Sequence, residues 1–417
     1  MLLRRINRAV RRLPIWLLLS VATPFLLEIL LHQWRSSTPR PSTHLDKPFF
    51  TSCQEPDIDG ERENAVFVML ARNNELSKAK RTVRSIEKHF NQWFNYPILF
   101  LNDEPWDQHF INELNKTANG KGIFDIIPKA QWTYPDWVDQ DVAKKSFKQQ
   151  DDAGIPHAGE EGYHHMCRFY SGKFYELDAL KQYKWYWRLE PDVDFTCAIT
   201  YDPFVQMAKH KKVYGYTIAL WEVGTSCPNL FRETADWKEK MGLPTTSLWR
   251  AMIEPSWGPF PFRRLLGWIP HRDRYGDAWS LCHFWSNFEI ADLGFFRSKA
   301  YQDYFEYLDN KGGFYTERWG DAAVHSLAIG MLADPSQVHH FEDIGYRHAK
   351  LYQCPANAPD GQLPDSSLLG DLKLYSDPID DGIGCRCSCN GKKTMNFRSY
   401  CVDRLKEPVT PKRGWFT

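Results

Sequence analysis

The sequence predicts an α/β fold: a largely parallel sheet flanked by helices, over residues 61–417. Three observations predict it. Short apolar runs of strand length alternate with stretches of helical periodicity. A helix pattern separates the first two strand runs, the order of a right-handed parallel crossover. The runs are apolar almost throughout, as strands covered on both faces are.

Taken in order, the chain opens with a basic head, residues 1–12, carrying Arg4, Arg5, Arg8, Arg11 and Arg12 and no acid. Leu13 to Leu31 is apolar apart from Ser20, Thr23 and Glu28. As a helix at about 1.5 Å per residue it is roughly 28 Å long, the thickness of a bilayer core. This reads as an uncleaved signal-anchor over residues 13–34, with the head in the cytosol and the rest lumenal. A signal peptide cut near Ser20–Thr23 is the rival reading. Residues 35–60, rich in Pro, Ser and Thr, read as a stem.

AVFVMLA, residues 65–71, is the first buried strand. Leu76, Ala79, Val83, Ile86 and Phe90 follow at spacings of three and four, which predicts an amphipathic helix. PILFLN and GIFDIIP are the next strands, a helix is expected between His164 and Tyr183, and KWYWRLE is a buried strand ended by Pro191. KVYGYTIAL and NFEIADLGFF read as later strands; SKAYQDYFEYL and ERWGDAAVHSLAIGML read as later helices. The sequon Asn115-Lys116-Thr117 is a candidate glycosylation site in a polar stretch.

Composition excludes some classes. Lys plus Arg equals Asp plus Glu at 52, and a balanced chain lacks the basic excess of a nucleic-acid binder. Neither a G-x-G-x-x-G nor a G-x-x-x-x-G-K-[ST] loop occurs, so dinucleotide and P-loop readings lose their support. Ten cysteines, none in the first fifty residues and four crowded at Cys385, Cys387, Cys389 and Cys401, favour disulfides in an oxidising lumen. A zinc site in that tail is the alternative, but single residues separate three of its cysteines where zinc sites use two to four.

In α/β folds ligands sit at the carboxyl ends of strands. There the chain offers Glu190-Pro191-Asp192-Val193-Asp194. Such an oxygen-rich turn suits a hard divalent ion bridging phosphate oxygens, although an acidic turn is also an ordinary solvated one.

AVFVMLARNNEL, EEGYHHMCRFYSGKFYELDAL, WYWRLEPDVDF, CHFWSNFEIADLGFFRS, FYTERWGDAAVHSLA and FEDIGYRHAKLYQCP resemble the fungal α-1,2-mannosyltransferases of glycosyltransferase family 15, over roughly residues 64–355. The resemblance implies a GT-A-type, Rossmann-like fold, a mixed, mostly parallel sheet flanked by helices in a single catalytic domain, in a type II Golgi membrane protein. It implies retaining transfer of mannose from GDP-mannose, with Mn²⁺, to a mannose hydroxyl of an O- or N-linked glycan. Carried over motif by motif, it assigns the metal to Glu190 and His348 and places Glu289 near the reacting anomeric carbon. Arg72, Tyr163, Asp192 and Asp321 fall on the nucleotide and donor side. Each has a structural rival: a surface loop histidine for His348, a solvated acidic turn for Glu190 and Asp192, an ion pair for Arg72 and Glu289, a core aromatic for Tyr163, a helix cap for Asp321. In the mechanism so implied, Glu289 is either a covalent nucleophile or an electrostatic stabiliser. Two segments depart from the family pattern: residues 254–278, rich in Pro, Trp and Arg, and the cysteine-rich extension within 355–417. The alternatives to this reading are a catalytically silent glycan-binding protein and a glycoside hydrolase working with two carboxylates.

Overall fold

Residue alternation places the central strands between two cores. In the computed structural model, which describes residues 14–36, 48–359, 377–389 and 400–406, β1 (Ala65–Leu70) sends Val66 and Val68 to one apolar cluster and Ala65, Phe67 and Met69 to the other. The expected cytosolic head, residues 37–47 of the stem and parts of the C-terminal extension lie outside the described residues. β1 pairs in parallel with β2 (Ile98–Asn102), and β2 with β3 (Gly122–Ile126). On its other side β1 pairs in parallel with β4 (Trp185–Leu189).

Beyond β4 the chain forms β5 (Val193–Phe195), β6 (Tyr214–Tyr216), β7 (Ala219–Trp221), β8 (Cys282–Phe284), β9 (Glu289–Asp292), β10 (Val338–His340), β11 (Tyr346–His348) and β12 (Leu351–Gln353). The central sheet has seven strands in the order β10-β6-β9-β4-β1-β2-β3. Only β9 runs antiparallel to its neighbours, so the sheet is mixed and mostly parallel as expected. A small sheet β12-β11-β5 and a ribbon β8-β7 project from its carboxyl side.

The helices follow their periodicity with two differences. The first amphipathic helix, Leu76–Ile86, stops being α-helical before Phe90 and opens into a π-turn over Glu87–Asn91. Buried Glu87 there receives Lys121 Nζ at 2.7 Å and Asn91 Nδ2 at 2.7 Å, and these bonds offset the irregular backbone. The helix Glu161–Arg168 likewise passes into a π-turn over Phe169–Lys173. Gly172 is required there, since a Cβ would lie 2.1 Å from the Phe305 ring. KVYGYTIAL splits into β6 and β7. The Thr217 carbonyl accepts from His340 Nε2 at 2.7 Å and the Ile218 carbonyl from Trp285 N at 2.9 Å, which takes the chain out of the central ladder.

Among the described residues, one helix, Ile15–Ser36, is long and apolar enough to cross a membrane. The cysteines form four disulfides, Cys53–Cys385, Cys197–Cys387, Cys282–Cys401 and Cys354–Cys389, so the tail cluster is no zinc site. Cys167 and Cys227 are free and buried.

Non-reducing digestion with mass spectrometry is expected to recover these four cross-linked peptide pairs. Cys167 and Cys227 should alkylate only after unfolding. Replacing Cys282 and Cys401 together by Ser removes a loop closure worth about 2–5 kcal/mol, read as a lower urea midpoint.

Candidate active site

The site is built at the carboxyl ends of β1 and β4. Arg188, an arginine inside an otherwise aromatic strand, is 4% exposed. Such a buried cation needs partners. Its Nε and Nη2 reach Glu190 Oε1 at 2.8 and 2.6 Å, and its Nη1 reaches Asp321 Oδ2 at 2.6 Å. Its guanidinium lies 3.6 Å from the Tyr170 ring centroid. Ser286 Oγ also donates to Asp321 Oδ2 at 2.8 Å.

The two carboxyls respond differently. Burial pushes the Glu190 pKa above its ordinary value despite Arg188. Burial acts on Asp321 in the same direction, but Arg188, His325 and the Ser286 hydroxyl outweigh it and hold its pKa below the ordinary value. Although Asp321 opens the helix Asp321–Leu332, Gly320 is the N-cap, and the Asp321 side chain serves Arg188 and Ser286.

Glu190, Asp321, Tyr163 and His348 line one groove of about 400 Å³, with Arg188, Arg318, Glu222 and Trp285. Arg72 lines an adjoining recess of about 180 Å³ that shares Tyr163, Met166 and Glu190 with the groove. Arg72 approaches closely because residue 162 is Gly: a Cβ there would lie 2.6 Å from Arg72 Nη2. Tyr163 is fixed by Arg318, whose Nη1 donates to its hydroxyl at 3.2 Å and whose Nη2 meets Glu222 Oε1 at 3.2 Å. The His157 ring stacks on Tyr163 at 4.9 Å.

His348 reaches the groove because β11 pairs with β5, directly after the acidic turn, in the register His348 opposite Val193. Burial lowers its pKa, which favours the neutral imidazole that ligates metals. Trp285 stacks on the ring at 5.2 Å and Asn287 Nδ2 lies 2.5 Å from His348 Nδ1. In this orientation Tyr346 donates to Asn287 Oδ1 at 3.1 Å. A half-turn of the amide makes Nδ1–H the donor and frees Nε2 as a ligand.

Two expected site residues, Asp192 and Glu289, line neither the groove nor its recess. Asp192, at φ 71°, gives its carboxylate to Arg81 at 2.8 Å, and Arg81 also holds Asp194 at 3.0 Å. Glu289 is fully buried next to Arg188 in the β9–β4 register. It accepts from Tyr186 at 2.8 Å and Tyr214 at 3.1 Å, and its Oε2 lies 3.1 Å from His325 Nδ1. Asn115 sits in the helix Gln108–Thr117 with Oδ1 accepting from Gly122 N at 3.2 Å.

Among the described residues, no cluster of three or more His, Cys, Asp or Glu suits a metal. Two donors of the kind a divalent ion takes, Glu190 and His348, nevertheless line the one groove. Both Arg188 bonds fall on Glu190 Oε1, and His348 adds an imidazole. Sequence reasoning missed Arg188, Arg318, Glu222, Trp285 and Asn287. A signal existed for Arg188: strand alternation puts it on one face with Glu190, and a charge inside a buried strand asks for a partner.

A mixed sheet with its polar groups gathered at strand ends, beside a smaller sheet that returns a histidine to the same edge, is the architecture of a GT-A-type glycosyltransferase. The chain belongs to the family described as glycolipid 2-alpha-mannosyltransferase, whose model matches residues 35–360. It is 38% identical over 426 residues to the probable mannosyltransferase KTR7 of Saccharomyces cerevisiae, covering 87% of this chain and 80% of that one. It is 41% identical over 331 residues to O-glycoside alpha-1,2-mannosyltransferase homolog 4 of Schizosaccharomyces pombe, covering 74% and 75%. Among solved structures, it is similar to core-mannan synthase A of Aspergillus fumigatus in its Mn/GDP form, with TM-score 0.68 and 31% identity over 89% of this chain and 91% of that one. It is also similar to the mannosyltransferase Ktr4p of S. cerevisiae in complex with GDP, with TM-score 0.69 and 29% identity over 92% and 95%.

The loop that delivers His348 carries a pH-sensitive buried acid. Burial raises the pKa of Asp343 to about 7; Tyr201 donates to its Oδ2 at 2.7 Å, and its Oδ1 is buried without a partner. Its unfolded pKa is about 3.9, so its contribution to stability is complete below that pH and is lost as pH rises through about 7. Asp343→Asn is therefore expected to melt higher than the parent at pH 8 and to lose that advantage at pH 4. Melting curves across this range check it.

Proposed function

We propose that this α-1,2-mannosyltransferase transfers mannose from GDP-mannose to a mannose hydroxyl of an O- or N-linked glycan, with retention of configuration. Its setting is the Golgi membrane, with Ile15–Ser36 as the anchor and the catalytic domain lumenal. The observation that carries the reading is the shared wall. Glu190 and Tyr163 border both the groove and the Arg72 recess, so a nucleotide diphosphate lying across them meets a cation, a hydroxyl and a metal-competent pair together.

Glu190 and His348 would hold Mn²⁺, which when bound supplies Lewis-acid neutralisation of the diphosphate charge. Arg72 adds a guanidinium on the nucleotide side. Tyr163 holds the donor by its hydroxyl, and Asp321, kept ionised by Arg188, accepts hydrogen bonds from sugar hydroxyls. Asp192 contributes to the donor side through the turn geometry that it and Arg81 set. In the transfer, the bond from the anomeric carbon to the diphosphate oxygen breaks and a bond to the acceptor oxygen forms on the same face. The acceptor proton passes to the leaving diphosphate. Glu289 lies beneath the Arg188 layer with three hydrogen-bond partners, and this burial supports electrostatic stabilisation of positive charge at the anomeric carbon over nucleophilic attack.

Purified protein given GDP-mannose, Mn²⁺ and methyl α-mannoside is expected to release GDP and form an α-1,2-linked disaccharide. Binding without GDP release would mark a silent glycan binder, and cleavage without nucleotide a hydrolase. Glu190→Ala and His348→Ala should abolish the Mn²⁺-dependent part of GDP affinity in calorimetry. Glu289→Gln should keep that affinity while transfer falls by about 10²–10³-fold. Undiminished Mn²⁺ dependence in Glu190→Ala would refute the metal assignment.

A further inference from the structure

The segment between Glu254 and Ala278 spends few of its apolar side chains on the core. Trp268 is 89% exposed, Trp257 72% and Leu265 70%; Phe260, Phe262 and Ile269 are exposed as well. A cluster of this size on one segment marks an interaction surface. Its location identifies the partner. The helix Ile15–Ser36 docks on this segment along one face, through residues 25, 28, 32 and 33. Phe25 and Phe262 rings lie 5.9 Å apart. Glu28 accepts from Phe260 N at 2.9 Å and from Arg263 Nη1 at 2.6 Å. His32 meets Asp277 at 2.8 Å, and Gln33 donates to the carbonyls of Pro255 and Ser256 at 3.1 Å each.

These contacts fix a depth. The apolar stretch of the anchor ends at Leu31, and Phe25 lies six residues earlier, about 9 Å deeper along a helix rising about 1.5 Å per residue. Phe262 touches Phe25, so the segment reaches below the level at which the anchor leaves the hydrocarbon. Interfacial elements sit about 5–10 Å into the headgroup and acyl boundary. The chemistry fits that depth: tryptophans collect at the interface, and arginines there extend toward water. Arg264 lies 5.0 Å from the Phe260 ring and 5.3 Å from the Tyr275 ring. The same arrangement accounts for Glu28, a carboxylate inside an apolar span, which here is paired with Arg263.

We infer that residues 254–278 are a membrane-interface element that seats the catalytic domain on the lumenal leaflet beside its own anchor. This rests on the anchor reading proposed above. The domain is then held flat against the bilayer rather than tethered at the length of a stem.

The test uses the full chain in phosphatidylcholine vesicles. Native cysteines are disulfide-bonded or buried, so single cysteines introduced as Leu265→Cys, Trp268→Cys or Trp257→Cys accept an environment-sensitive fluorophore selectively. Leu26→Cys reports the anchor and Trp137→Cys an exposed site elsewhere. Variants are used only if they melt with the parent. Phosphatidylcholine brominated in mid-chain is expected to quench labels at 265, 268 and 26 and to leave the label at 137 bright. Quenching at 26 with water-like, unquenched emission at 265, 268 and 257 would overturn the inference and leave the anchor standing. No quenching at 26 would overturn the anchor reading itself. Shielding at 265 and 268 that grows with protein-to-lipid ratio and ignores bromine would identify a second copy as the occupant and also overturn it.

Discussion

One buried cation organises the catalytic edge. Arg188 is the only charge in the aromatic strand Trp185–Leu189, and two carboxylates and an aromatic face converge on it. Without it, Asp321 and Glu190 would face each other across a dry cleft and at least one would take up a proton. With it, Asp321 stays charged, whereas burial still pushes the Glu190 pKa up against the pull of Arg188. The asymmetry is useful. A carboxylate reluctant to ionise alone gains most from a second cation, so in the proposed reaction the network would favour metal at Glu190 and leave Asp321 to hydroxyls. Leaving two carboxylates around one lost arginine would cost about 3–5 kcal/mol, typical of a broken buried pair.

What could be read from the sequence is what depends on local pattern. AVFVML and WYWRL read as buried strands because both their faces are covered, and they are neighbours in the sheet. Glu190 was legible as a strand-end carboxylate, and His348, Asp321 and Tyr163 through the motifs that carry the family resemblance; these four line the groove. What escaped depends on long-range partners. The division of labour within Glu190-Pro191-Asp192-Val193-Asp194 is set by Arg81 and Arg347, from two other elements, which claim the aspartates. The burial of Glu289 is offset by hydrogen bonds from Tyr186 and Tyr214, and the π-turn at Glu87 by one from Lys121, 34 residues on. No periodicity reports such pairings.

The same distinction separates the catalytic edge from the 254–278 segment. Its Pro-, Trp- and Arg-rich composition stood out as a departure from the family pattern, but composition alone gives a segment no partner. Only the contacts from Phe25, Glu28, His32 and Gln33 give the segment a height and an orientation.

The disulfides add a constraint of timing. Every bridge takes one partner from the last stretch of the chain, Cys385 to Cys401. Cys53 must wait for a residue 332 positions later. At about 5–20 residues per second, translation alone imposes a delay of roughly 17–66 s. Throughout that interval the nascent sheet is held by packing alone, and its early thiols are open to wrong partners. A polypeptide cut short before the tail would therefore leave the ribosome with all its correct pairings still unmade. Each native bridge can therefore close only after the whole catalytic edge has been synthesised.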